Sequence, residues 1–268
     1  MTVLSLGADR DLRPDAFVAR ANPVAKLVVA LLVSLTLLLT VDVVTAGVAL
    51  ALEAAVLPWC GLSAAGLLRR GWIVVAGAVP AGLVTTWLGV DSGEVLLAVG
   101  PVTVTQGSLL AGCAITLRIL SVGLPGVVLL ATTDPTDLAD ALAQVARLPH
   151  RFVLAALAAM RLFALMGSEW ESLGAARRAR GIGDDGVVGR ARTASGQVLA
   201  LLVLVIRRGT RLAMAMEARG FGAPGARTWA RTSRVRRSDL GVVLAGVVIV
   251  TVATVAGILA GTWHLALT

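Results

Sequence analysis

Two arginines of this 268-residue chain stand in the same short context. Ala176 to Gly183 reads "ARRARGIG" and Ala215 to Gly222 reads "AMEARGFG", so Ala, Ala, Arg, Gly, an apolar residue and Gly recur with an offset of 39 residues. A guanidinium is a planar fork of donors that fits a carboxylate or a backbone carbonyl, so the chemistry on offer is docking rather than bond making. Each Gly is placed to take the left-handed conformation that stops a helix, and a cation in the last turn complements the exposed carbonyls there. A helix stop accounts for one copy. Two copies with small Ala neighbours predict two equivalent docking tips, Ala179, Arg180, Gly181 and Ala218, Arg219, Gly220.

Little else in the chain is reactive. There is no G-x-x-x-x-G-K-[ST] and the only lysine is Lys26, so no P-loop can hold ATP. His150 follows Pro149 and His264 lies near the C-terminus, each without the Cys, Asp or Glu neighbours of a metal site. Cys60 and Cys113 lie in or beside apolar segments and read as packing residues rather than a disulfide. No Ser or Cys nucleophile has a local base signature, so neither an enzyme site nor a cofactor is expected on this chain. Two charges, Glu53 and Arg118, fall inside apolar segments, each about ten residues from the outer end. At that shared depth an ion is costly unless paired, which predicts a Glu53 to Arg118 ion pair. A proton or ion pathway is the functional alternative, ranked lower because a single acid has no relay of further carboxylates.

The elements that carry these residues follow from composition. With 57% hydrophobic and 15% charged residues and a mean hydropathy of +0.87, the chain is a polytopic membrane protein, all-α in class. Apolar runs near the ~20 residues that cross a bilayer occupy 24–41, 43–57, 71–90, 109–131 and 240–263, predicting five spans. Residues 152–167 are short and contain Arg161, and 198–206 run into Arg207 and Arg208, so neither is read as a span. Of the 24 Lys and Arg, 17 lie between Asp134 and Asp239 against 9 acidic residues. Basic short loops are retained in the cytoplasm. This places residues 1–23, Arg69 and Arg70, and residues 133–239 inside, and the loop from Asp91 to Gly107, with Asp91 and Glu94, outside. The N-terminal 20 residues mix acids and bases without a signal-peptide pattern, so the first span serves as the insertion signal. The basic segment is expected to face anionic headgroups and partner proteins rather than nucleic acid, for which no binding module is present.

Three stretches of residues 133–239 have helical periodicity and none alternates as a strand would. "TTDPTDLADAL" supplies a cap at Thr133 or Asp134, a first-turn Pro135 and an acidic Asp137, opening a helix from about Pro135 to Arg147 that ends before Pro149. A long second helix is predicted from about His150 to Arg180 and a third from about Gly189 to Arg219, so both Ala-Arg-Gly tips terminate helices. Pro80, Pro101 and Pro125 fit kinks or loop ends, and Gly61, Gly66, Gly71 and Gly77 fit close packing between spans.

Over nearly its whole length the chain resembles the transmembrane T component of energy-coupling factor (ECF) transporters, in the family of cobalt-transport membrane subunits. The likeness rests on the two Ala-Arg-Gly motifs, on "NPVAKL" at Asn22 to Leu27, similar to a Pro-x-x-Lys-Leu start of the first span, and on "TTDPTDLADAL". It implies spans 1–4 over 24–132, a three-helix cytoplasmic coupling domain over 133–239, and a final span over 240–268. It further implies two ABC-type ATPases that each receive one Ala-Arg-Gly tip and bind ATP themselves, a separate substrate-binding membrane subunit, and uptake of a vitamin or of cobalt or nickel across a prokaryotic plasma membrane. The other class left open is a self-sufficient secondary transporter or channel, which would place its polar residues at the midplane.

Overall fold

Each apolar segment begins at a polar cap and runs as one helix. The computed structural model describes residues 15–40, 42–89, 92–99, 102–181, 186–223 and 228–263. Helix α1 (Pro23–Leu39) starts where the Asn22 side chain accepts from the Val24 N–H at 3.0 Å, and α2 (Val43–Cys60) where Asp42 accepts from the Thr45 N–H at 2.8 Å. Ser63 caps α3 (Ala64–Leu88) in the same way, and Thr105 and Ser108 exchange hydrogen bonds at the head of α4 (Gln106–Thr132). Such caps satisfy first-turn N–H groups for which the helix itself has no carbonyl. Helix α8 (Arg237–Leu259) completes a bundle in which α4 packs on α1, α2 and α3, while α8 packs on α1 and α2. Pro58, Pro80 and Pro125 all lie inside helices; Pro101 lies outside the described residues.

The bundle is built for lipid. Thr45, Ser108, Ser121 and Asp239 are at most 1% exposed, whereas Leu31, Leu35, Leu83, Val84, Leu244 and Val248 face outward. Lipid tails are as apolar as leucine, so close backbone approach and interhelical hydrogen bonds, not burial of large side chains, hold such helices together. The clearest case joins α3 to α4. A Cβ on Gly82 would collide with the Thr116 hydroxyl and the Gly112 carbonyl, and one on Gly112 with the Thr86 hydroxyl and the Gly82 carbonyl. Gly82 with Thr86 and Gly112 with Thr116 thus interlock, one small residue and one threonine from each helix. The glycines singled out from sequence do otherwise: Gly71 and Gly77 have nothing within 4 Å of a Cβ, and Gly61 ends α2. A smaller core of Val33, Leu37, Ala46, Ala49 and Ala253 joins α1, α2 and α8.

The loop after α3 holds an antiparallel hairpin, β1 (Val95–Val99) and β2 (Val102–Thr105), tied by the Gln106 N–H to the Glu94 carbonyl at 3.0 Å. The sequence predicts only an outer loop here, and its β-branched run forms strands instead; Asp91 of that loop lies outside the described residues. Helix α5 (Pro135–Gln144) stops three residues before the expected Arg147, which takes a left-handed φ of 54° ahead of Pro149.

The chain forms two compact units, one of them Leu142–Thr232, so α5 as far as Ala141 belongs with the bundle. Length and composition make α2, α3, α4, α6 (His150–Ala179) and α8 capable of crossing a membrane, while α1 has 17 residues. At ~1.5 Å per residue α1 still covers about 26 Å, the short end of what spans, and it is α1 that packs within the bundle. Helix α6 instead pairs with α7 (Gly186–Ala218) as an antiparallel hairpin. Four contacts set its register: Arg177 Nη1 donates to the Thr193 carbonyl at 2.9 Å, Gln197 Nε2 to the Trp170 carbonyl at 3.3 Å, Arg208 pairs with Glu169, and Arg151 donates to the Gly222 carbonyl.

Candidate functional site

Both Ala-Arg-Gly motifs end helices of this hairpin. In the first, Arg180 is the C-cap of α6, its N–H bonds to the Arg177 carbonyl at 3.0 Å, and Gly181 at φ 71° bonds back to the Arg178 carbonyl at 3.0 Å. In the second, Gly220 at φ 77° donates to the Glu217 carbonyl at 2.9 Å and Phe221 to the Met216 carbonyl at 2.9 Å, the paired bonds of a Schellman stop. Ile182 and Gly183 of the first motif lie outside the described residues. A Cβ on Gly181 or Gly220 would meet nothing within 4 Å, so glycine is required there by backbone conformation and not by crowding.

Helix stopping explains the glycines but leaves the arginines unexplained. Ala179, Arg180, Gly181, Ala218, Arg219 and Gly220 are all exposed. Among the described residues neither the Arg180 nor the Arg219 guanidinium has a partner in the chain, whereas Arg151, Arg177 and Arg208 are each engaged in holding the hairpin. Because the hairpin is antiparallel, the tips lie toward opposite ends of it. A helix of 33 residues at ~1.5 Å rise separates them by roughly 50 Å.

Between the tips the hairpin also exposes large apolar side chains. Phe152 and Phe163 on α6 and Leu199, Val203 and Ile206 on α7 are all more than half exposed. A cavity of about 700 Å³ opens beside the second tip, between Leu157 and Leu162 of α6 and Leu212 and Met216 of α7, with Phe221 at its edge. Exposed apolar area on this scale marks a surface that meets another protein or a membrane.

The charges within the spans have other partners than expected. Arg118 Nη2 donates to the Leu38 carbonyl at 2.6 Å, capping the last turn of α1, while Glu53 Oε1 accepts from Ser121 Oγ at 3.1 Å. Among the described residues no ion pair joins Glu53 to Arg118. The reason is geometric: Ser121 lies one turn beyond Arg118 on α4 and opposite Glu53, while the longer arginine reaches the orphan carbonyls at the end of α1. Cys60 is a buried free thiol and Cys113 an exposed one. His150 opens α6, and His264 lies outside the described residues. Among the described residues no three His, Cys, Asp or Glu side chains converge as a metal site.

One cluster escaped the sequence reading. Lys26 Nζ donates to the Ala19 carbonyl at 3.0 Å, the Thr132 carbonyl at 3.0 Å and Thr132 Oγ1 at 3.1 Å. One turn away, Asn22 Nδ2 donates to Ser233 Oγ at 3.0 Å and the Arg234 carbonyl at 3.3 Å, and the Asn22 N–H donates to Asp239 Oδ1 at 2.9 Å. The only signals in the sequence were that Lys26 is the sole lysine and that both residues lie in "NPVAKL".

Comparison with known proteins agrees with this architecture. The energy-coupling factor transporter transmembrane protein EcfT of Thermosediminibacter oceani is 28% identical over 162 residues, which cover 57% of this chain and 61% of that protein. The chain thus matches about three fifths of that relative's length. The model of the CbiQ family, described as cobalt transport protein, matches residues 14–229. With an apolar bundle of this kind the chain is a multi-pass protein of the plasma membrane. The match runs from the residues before α1, through the four first spans and both Ala-Arg-Gly tips, and so the chain belongs to the CbiQ family of cobalt transport proteins.

Proposed function

We propose that this chain is the membrane-embedded energy-coupling subunit, the T component, of an ECF-type importer, and that it catalyses nothing itself. Two cytosolic ABC-type ATPases each receive one tip, Arg180 or Arg219 offering its guanidinium to a carboxylate or to helix-end carbonyls in a groove of the ATPase. Closure of the ATPases on ATP and their opening on hydrolysis move the two tips relative to one another. Helices α6 and α7 act as levers, and their exposed apolar faces pass the motion to a separate substrate-binding membrane subunit. That subunit carries the cargo, a vitamin or a cobalt or nickel ion; the ATP is held by the ATPases. The basic segment faces the cytoplasm, a placement supported by the distribution of arginine.

The observation that carries this reading is a pair of exposed arginines, without partners among the described residues, at opposite ends of one antiparallel hairpin. The relative's name supports it as well. A tagged chain extracted gently from its native membrane should bring down two P-loop ATPases and a small membrane protein, and Arg180→Glu with Arg219→Glu should release the ATPases. Retention of both ATPases and normal uptake in the double variant would refute the assignment. A self-sufficient carrier is the second reading, favoured by Glu53, which is buried with only Ser121 as a partner. Uptake by the chain reconstituted alone would establish it instead.

A further inference from the structure

Residues 133–239 connect α4 to α8; the first stretch, α5 as far as Ala141, still belongs with the bundle, and both ends of the connection, the departure from α4 and the return to α8, are held at one place. At the departure, the Lys26 ammonium places three donors on Ala19, on the last carbonyl of α4 at Thr132 and on the Thr132 hydroxyl, with Thr133 Oγ1 at 3.4 Å. At the return, Asn22 binds Ser233 and Arg234 through its side chain, while its own N–H is held by Asp239. Asp239 closes the arrangement by accepting from the Arg236 N–H at 2.6 Å, which starts α8. Asn22, Lys26 and Asp239 are 7%, 6% and 1% exposed. An ammonium has three protons and here finds three good acceptors, so the site is complete and directional, not a surface charge. Its anchor is the first turn of α1, where Asn22 also serves as the cap and Pro23 follows it.

We propose that the first turn of α1 is a clamp on both chain crossings, Lys26 holding the departure and Asn22 the return, and that it positions the coupling segment so that motion of that segment reaches the bundle. The inference rests on the coupling role proposed above. Without the clamp, the segment would still fold and still bind its ATPases, but its movement would be absorbed in slack at residues 132–133 and 233–236. Both residues act through the backbone they hold and are positioning residues.

Two variants separate the crossings. Lys26→Met keeps the length of the side chain and removes every donor. Asn22→Ser keeps an oxygen that can cap α1 but removes the amide that binds Ser233 and Arg234. Hydrogen exchange is read on the complex in nanodiscs, with and without ATP plus vanadate. Without nucleotide, Lys26→Met is expected to speed exchange around residues 132–136, and Asn22→Ser around 233–237, each by about tenfold for the bonds lost. With nucleotide, the wild type should show a change in α6 and α7 and also in the first turns of α1 and α8. In each variant the change in α6 and α7 should persist and the change in the bundle should disappear.

An assembled variant whose bundle still responds to nucleotide overturns the clamp, as does unchanged exchange at both crossings. Loss of ATPase binding in both variants also overturns it, because the residues would then be merely structural; if Lys26→Met alone fails to assemble, Asn22→Ser decides. A wild-type chain that recovers no ATPase sinks the coupling role itself. Wild-type coupling with an unaltered response in the variants sinks the clamp alone.

Discussion

Replacing Gly220 by Ala and, separately, Arg219 by Ala divides a tip into its two halves. A Cβ at position 220 would meet nothing within 4 Å while φ stays at 77°. The cost is therefore the left-handed backbone penalty alone, about 1–2 kcal/mol for an L-residue. It falls on the last turn of α7, where the Gly220 and Phe221 N–H groups bond to Glu217 and Met216. If that turn opens more easily by the same energy, its amides exchange about 5- to 30-fold faster. Arg219→Ala breaks none of these bonds, because Arg219 contributes to the cap only through its backbone N–H to the Met216 carbonyl. A docked guanidinium making charge-assisted hydrogen bonds is worth about 1.5–3 kcal/mol, so its loss should raise the Kd for an ATPase about 10- to 150-fold.

The assay is hydrogen exchange on each variant together with Kd for the ATPases recovered with the wild-type chain. Gly220→Ala should fray the tip and weaken binding by no more than the fraying. Arg219→Ala should leave exchange unchanged and weaken binding more. Wild-type affinity in Arg219→Ala, with weakened binding only in Gly220→Ala, would show that the motif is a helix stop and nothing further. Gly181, at φ 71°, and Arg180 should give the same split, and a failure there alone would mean that one tip suffices.

Gly112→Ala should destabilise the bundle by about 1–3 kcal/mol, since its new methyl meets the Thr86 hydroxyl and the Gly82 carbonyl. Gly71→Ala and Gly77→Ala, inside α3 with open space around them, should be neutral or stabilising by up to about 1 kcal/mol; thermal unfolding in detergent checks all three. A double-mutant cycle on Glu53→Gln and Arg118→Ala should give a coupling below about 0.5 kcal/mol, because the two side chains share no partner. A coupling of several kcal/mol, as broken buried pairs produce, would restore the ion pair. Glu169→Ala and Arg208→Ala remove a partly buried bridge between α6 and α7, and each should cost about 1 kcal/mol or less in the same measurement.

The legible parts of this fold were those written in periodicity and punctuation. Apolar length located α1 to α4 and α8, and Gly181 and Gly220 marked the ends of α6 and α7 closely, because these residues act on their own backbone; α5 stops five residues short of Pro149. The hairpin at Val95–Thr105 was missed because a loop was expected wherever a span ended, although Val102, Thr103, Val104 and Thr105 are strand formers. Length and composition make α6 as capable of crossing a membrane as α2 or α8; its pairing with α7, which begins seven residues after α6 ends, is a tertiary contact that composition does not carry.

The misplaced and missed charges have one physical cause. Depth along a helix can be counted from sequence, so Glu53 and Arg118 were matched with each other as the only opposite ions at one level. Inside a bilayer, however, a long cation has a second class of acceptor, the orphan carbonyls at helix ends, and both bundle cations described in detail take it. Arg118 caps α1 at Leu38, and Lys26 caps α4 at Thr132. Those carbonyls carry no residue type, so no count of acids and bases finds them. Lack of a partner does not by itself set Arg180 and Arg219 apart, since among the described residues Arg178, Arg207 and Arg211 are also exposed without one. What distinguishes the two is their place: each stands at the last turn of a long helix, beside a glycine whose left-handed backbone ends it, and the docking proposed for them rests on that repeated position.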